Sequence, residues 1–290
     1  MSSRRVKRQG TIEALRGTIK TEQSHVIANK KHMIITEFHT QDGVTIYIGS
    51  DTIYCIDVML RKIAGSDVFE PIGLLSKIRW DGECSLNDPF EKGSDTIMIF
   101  QLIISYLRNK YPDVKVLQFT DLSTRSCDNG AFVSLAAMKL FTDGKTWYED
   151  RFEACIDPFY EEIYNKMKSH ADTIKKTMSW DVFSTYLKND EKIIDSGTVQ
   201  KFYEETTTWQ SFFSKIRDTI DKSKFCIWLS TRDWFDSFLM RQLNFNIMGV
   251  HFIIKIPEFQ HTIKYELTTK GGKVMKKYKG IRKWKNTLKK

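Results

Sequence analysis

The chain is expected to fold as a mixed α/β (α+β) protein, with a central, partly antiparallel sheet flanked by helices and further helices toward the C-terminal end. Three observations carry that expectation. Two β-like runs, 32–38 and 44–48, flank Gln41-Asp42-Gly43, and an Asp-Gly between such runs marks a hairpin. From Cys84 to Phe152, strand-like and helix-like patterns alternate, the sign of an α/β unit. Beyond Asp157-Pro158 the apolar spacing turns to that of helices.

The 290 residues suffice for one large domain or two small ones, and 41% hydrophobic with 13% aromatic content supports a packed core. No apolar run approaches membrane-span length, so no transmembrane segment is expected. The basic start, Met1 to Gly10, leads into no apolar stretch of secretory type. Cys55, Cys84, Cys127, Cys155 and Cys226 are scattered and odd in number, which fits a reducing, intracellular compartment better than a disulfide framework. No CxxC pair exists and the six histidines never fall at ligand spacing, so no structural metal is expected. The net charge of +9 is terminal in origin. Arg4, Arg5, Lys7 and Arg8 supply +4 and residues 268–290 supply +10, which leaves −5 for the middle. The expected organisation is a basic arm over 1–30, an α/β core over 31–157, a helical insertion with a closing strand–helix–strand unit over 158–267, and a basic tail over 268–290.

In order, Thr11–Leu15 fits a short helix, and Ile53–Ile63 fits a helix as well as a strand. Ile72–Trp80 reads as a strand that Asp81-Gly82 turns into the short run Cys84–Leu86, so the first third reads as an antiparallel meander. The polar loop Asn87–Asp95 then opens a helix over Thr96–Lys110. Its backbone N–H groups and the helix N-terminus can hold a phosphate or pyrophosphate, or Gly93 makes a turn and Ser94 or Asp95 caps the helix. The helix is apolar nearly all round, which expects burial against a sheet, and Val114–Thr120 follows as a parallel strand. The loop Asp121–Gly130 then lies at a strand's C-terminal end, where ligands sit in open α/β sheets; Asp128 or Asn129 would cap a helix over 129–141. Phe159–Met178, Trp180–Leu187 and Val199–Ile220 read as helices, Phe225–Leu229 as a strand, Thr231–Arg241 as a helix and Asn246–Ile256 as a strand. Trp228, Trp234 and Phe235 either pack in the core or form a partner surface.

The stretch from Ile72 to Asp157 resembles the acetyl-coenzyme A-binding core of the GNAT superfamily of N-acetyltransferases. There a strand leads through a glycine-containing loop into a helix, a strand, a helix and a closing signature of Tyr-acid-Lys-x-Gly-Phe type. Lys92-Gly93-Ser94-Asp95 stands where the pyrophosphate loop would be, and Tyr148-Glu149-Asp150-Arg151-Phe152 looks like the closing signature. Leu243-Asn244-Phe245 offers a second candidate ending, which would make 158–223 an insertion. The wording Gly144-Lys145-Thr146-Trp147-Tyr148-Glu149 is similar to proteins encoded by large DNA viruses of eukaryotes.

The resemblance implies an acyl-coenzyme A-dependent N-acyltransferase. Acetyl-CoA would be held by Lys92, Gly93, Ser94, Asp95 and Thr96. Tyr148 would protonate the leaving thiolate and Glu83 would take the amine proton. Two departures imply an alternative: Asp95 stands where the family carries a second small residue, and the closing signature lacks its glycine. That alternative is a catalytically inactive descendant with no cofactor, acting as a virion structural (minor capsid) or interaction protein among viral structural proteins, in the virion or host cytoplasm. The tail supplies its anchor. Lys276, Lys277, Tyr278, Arg282, Lys283 and Trp284 interleave charge with rings, the chemistry that meets nucleic acid or an acidic protein surface, with Gly271-Gly272 as the hinge of a solvated extension.

Overall fold

A computed structural model describes residues 20–78, 83–91, 93–187, 192–268 and 274–278. The chain divides into two compact units, Met1–Phe119 with Ile254–Lys290, and Thr120–Ile253. The expected boundary at 157 falls inside the second unit.

The first unit is mixed α+β and is built on a mostly antiparallel sheet. Its strands are β1 (Lys20–Ala28), β2 (Lys31–His39), β3 (Gly43–Gly49), β4 (Tyr54–Lys62), β5 (Phe69–Ile78) and β6 (Val116–Thr120), with β11 (Tyr265–Thr268) and β12 (Val274–Tyr278) from the far end of the chain. The order is β12-β11-β1-β2-β3-β4-β5-β6. The meander arises from tight turns. Asn29 and Lys30 both take positive φ, the pair of left-handed residues that matches strand twist in a two-residue hairpin. The Asp-Gly signal is borne out: β2 and β3 pair antiparallel, with the Thr40 N–H on the Gly43 carbonyl at 2.9 Å. The ambiguous stretch 53–63 is strand β4, held between β3 and β5.

Helix α1 (Ser94–Lys110) crosses from β5 to β6, and the two strands pair parallel, as the crossover rule expects. Met98, Ile99, Phe100, Leu102, Ile103, Ile104 and Leu107 are buried along it. Each such side chain is worth about 1.5–3 kcal/mol, so packing rather than propensity holds the helix. Arg108 ties the returning chain down, donating Nε to the Ile256 carbonyl at 3.0 Å and a terminal nitrogen to that of Phe259 at 2.7 Å.

Several expectations give way here. Cys84–Leu86 is a bend, not a strand. Its short run has no free edge to join: Cys84 is bonded to Cys55 and the Leu86 N–H goes to the His32 carbonyl at 2.7 Å. Residues 20–28 of the expected basic arm form β1, and residues 274–278 of the expected mobile tail form β12 against β11. Thr11–Leu15 and Gly271-Gly272 lie outside the described residues.

The second unit is mainly helical. It holds a small hairpin, β7 (Thr124–Ser126) with β8 (Phe132–Ser134), and a strand pair in which Ile156 of β9 (Cys155–Ile156) sits opposite Phe252 of β10 (His251–Lys255). Its helices are α2 (Leu135–Asp143), α3 (Trp147–Phe152), α4 (Pro158–Thr177), α5 (Trp180–Tyr186), α6 (Ser196–Glu205), α7 (Trp209–Thr219), α8 (Lys222–Ser230) and α9 (Trp234–Arg241). Most N-termini are capped from the sequence: Ser134, Thr146, Asp157, Ser179, Asp195, Thr208 and Asp221 each accept an N–H of the first turn.

Three corrections fall in this unit. Residues 129–133 are a turn and part of β8, and the helix starts only after the Ser134 cap. The single helix expected over 199–220 is two, α6 and α7, parted at Thr206–Thr208. The carbonyls at the break accept from Lys175 Nζ, 2.9 Å from both Tyr203 and Thr206, and Thr208 caps the restart. Phe225–Leu229 is helical, not a strand: Asp221 caps it, and a run buried on every side carries no period to separate the two states. Trp228, Trp234 and Phe235 are core, at 0%, 3% and 1% exposure, which removes the partner-surface reading for them. They belong to an aromatic cluster with Phe183, Trp209 and Phe213; Trp228 and Trp234 meet edge-on at 4.9 Å. The indole N–H groups of Trp209 and Trp234 find the carbonyls of Ala171 and Trp228.

Candidate functional site in the second unit

The glycine loop ahead of α1 is built as an anchor. Gly93 is the N-cap, at φ 93°, a conformation that favours glycine. Asp95 is buried, and its Oδ2 accepts the Glu91 N–H at 2.7 Å and pairs with Lys31 at 3.4 Å. Ser94 leans to Glu91, at 3.4 Å, and Thr96 is half-buried in the first turn. Upstream, Asn87 binds the His32 N–H and the Lys30 carbonyl, both at 2.9 Å, so the loop is tied to the start of β2. The helix terminus thus faces the chain's own carboxylates. Pairing of β5 with β6 runs from Ile72↔Val116 to Leu74↔Gln118, while β5 continues to Ile78. Lys92 lies outside the described residues.

Glu83 is exposed at the head of this loop, in the first unit. Tyr148 belongs to the second. It is buried in α3 beside Trp147 and Phe152, and burial, followed by the negative charge of Asp121, pushes its hydroxyl far above the ordinary phenol range. Lys276, Lys277 and Tyr278 sit on β12, opposite Leu267, Glu266 and Tyr265 in register. Arg282, Lys283 and Trp284 lie outside the described residues.

A second cluster lies on the first unit's sheet, where Glu22, Glu37 and His39 bring a donor atom each within 4.8 Å of one another. Lys110 already sits on both carboxylates, and Glu37, 1% exposed, also accepts the hydroxyls of Tyr106 at 2.8 Å and Tyr111 at 2.7 Å. This is an ion-pair network closed by Lys110, in which His39 Nε2 lies 3.3 Å from Glu37 without a hydrogen bond.

A cleft of about 180 Å³ within the second unit joins an unpartnered buried oxygen to an apolar recess. Its polar foot is Asp121, the first residue of the loop flagged in the sequence, 1% exposed. Ser123 donates its N–H, at 3.0 Å, and its hydroxyl to Asp121 Oδ1, whereas Oδ2 is buried without a hydrogen-bond partner. Burial pushes this carboxyl up to about 6 against the pull of Ser123, and the nearby Glu149 adds to the rise. Asp236 of α9 lines the same cleft and is also raised, first by burial. The walls are apolar, from Val133, Ala137, Leu239, Phe245 and Ile247. Large apolar side chains at its lining stand exposed, Leu122 at 62%, Phe132 at 61% and Met248 at 54%.

The four cysteines other than Cys155 form two disulfides, Cys55–Cys84 and Cys127–Cys226, which corrects the expectation of unpaired thiols. Spacing in sequence hides both, since each closes over a long stretch of chain. Among the described residues no helix is long and apolar enough to cross a membrane.

Fold and cleft together define a mixed α+β protein carrying an apolar recess with an acidic foot. No family model, no curated protein and no solved structure matches the chain. The sequence pointed to the loop at Asp121 but not to Asp236, Phe132 or Met248. Their one common signal is position beside an apolar run, and only tertiary packing brings them to one place.

Proposed function

We propose that this chain acts by binding rather than by acyl transfer, with the cleft at Asp121 as its recognition site. The observation that carries this reading is the juxtaposition of a buried carboxylate oxygen lacking a donor with apolar walls and exposed apolar side chains, the makeup of ligand sites. The disposition of Asp95 supports it from the other side, because a carboxylate at a helix N-terminus disfavours a pyrophosphate there. Tyr148, driven away from neutral pH by burial, makes a poor proton donor. A place among viral structural proteins belongs to the same reading; its support is the wording of residues 144–149 and the basic stretch 268–290.

The second reading, acetyl-CoA-dependent N-acyl transfer, is favoured by one observation, the parallel β5–α1–β6 crossover whose strands stop pairing at Leu74↔Gln118. Thermal unfolding separates the two. Acetyl-CoA at millimolar concentration is expected to leave Tm unchanged; a saturable rise would overturn the binding-protein reading.

A further inference from the structure

We propose that the cleft at Asp121 takes a small organic cation with an apolar body, its ammonium drawn to the Asp121 carboxylate at the foot of the cleft and its hydrocarbon part among Val133, Leu239 and Phe245. This rests on the reading of the chain as a binding protein and names the ligand class. A buried carboxylate oxygen without a donor is costly, and the remedy is a donor or a counter-charge. Among the described residues the chain supplies neither at this point. Ser123 spends both its donors on Oδ1, and the lining of the cleft holds a second carboxylate, Asp236, with no lysine, arginine or histidine among the described residues. The other charged or titratable groups that act on Asp121 are Glu149 and Tyr148, neither of them a cation, and Asp233 acts on Asp236. The local field therefore selects positive charge. An anion would meet two carboxylates, and a neutral ligand would leave Oδ2 ionised and unpaired at neutral pH.

The size follows from the volume. An apolar cavity of about 150 Å³ accommodates a benzene ring. A cleft of about 180 Å³ has room for one ring or a short branched chain plus a small polar head.

The test uses the full chain and three probes of one shape: benzylamine, benzyl alcohol and benzoate, measured by calorimetry or ligand-observed NMR at pH 7.5. Benzylamine is expected to bind at least tenfold more tightly than the alcohol, with benzoate weakest. Asp121→Asn keeps the Oδ1 acceptor for Ser123, and is expected to cost benzylamine at least tenfold while leaving the alcohol unchanged. Ala137→Leu, which fills the cleft, is expected to abolish both, with a cooperative thermal transition as the check on folding. The amine binding is further expected to weaken below about pH 6, as Asp121 takes up its proton. Equal binding of amine and alcohol, unaltered amine binding by Asp121→Asn, or no amine binding at millimolar concentration would each overturn the proposal. None of these outcomes bears on acetyl-CoA, whose thermal shift tests the binding-protein reading separately.

Discussion

Ser123 donates both its backbone N–H and its hydroxyl to Asp121 Oδ1, and so leaves the other oxygen of that carboxylate buried with no hydrogen-bond partner. The pair turns a loop residue into a group whose charge state depends on solution conditions.

That dependence has a sign. Asp121 holds its proton up to about 6 when folded, against an ordinary 3.8. Between those values the native state binds more protons than the unfolded one, so this residue's contribution to stability falls as pH rises and is fully lost above the window. The loss is on the order of 3 kcal/mol at most. Asp121→Asn is expected to remove it. Urea unfolding at pH 4 and pH 7.5 should show the variant gaining on wild type at the higher pH; a constant difference would contradict the assignment.

The disulfides make a count. Unfolded without reductant, the protein is expected to show a single reactive thiol, that of Cys155, and five after reduction. Cys55–Cys84 spans 29 positions and Cys127–Cys226 spans 99. On loop-entropy grounds, losing either should cost about 3–5 kcal/mol, the second more than the first. Thiol titration and denaturant melts of Cys84→Ala and Cys226→Ala check both statements.

Asp95 anchors the start of α1 through the Glu91 N–H and Lys31. Asp95→Ala is expected to lower stability by about 1–2 kcal/mol. Faster amide exchange in the first turn of α1, with the far end of the helix unchanged, would locate the effect.

Glu37 is buried under Tyr106, Tyr111 and Lys110. Removing it leaves two hydroxyls without their acceptor and Lys110 with Glu22 alone. Glu37→Ala is expected to cost about 3 kcal/mol or more, and Glu37→Gln, which retains one acceptor oxygen, less. Equilibrium unfolding of the two variants ranks them.

Much of the first unit was legible because local rules decide it. The Asp42-Gly43 hairpin, the all-round apolar α1 and the crossover into β6 follow from turn chemistry and period. The failures share a cause. Phe225–Leu229 has a strand's composition, yet its surroundings bury every face, and burial overrides propensity. Cys84–Leu86 is too short to reveal that it is joined to β4 by a disulfide at Cys55 rather than by a strand ladder. The candidate site was half legible: a strand-end loop marks Asp121, but Asp236 and Met248 arrive from elements more than a hundred residues away in sequence. The basic stretch 274–278 read as solvated because charge alone does not show that its backbone completes a ladder with β11.

The pairing of Val26 with Leu267 joins two strands far apart in sequence into one sheet. On the ribosome, β1 therefore emerges long before the strand that covers its outer edge. Until β11 has been synthesised, that edge stands open to mispairing, and the first unit cannot complete its sheet.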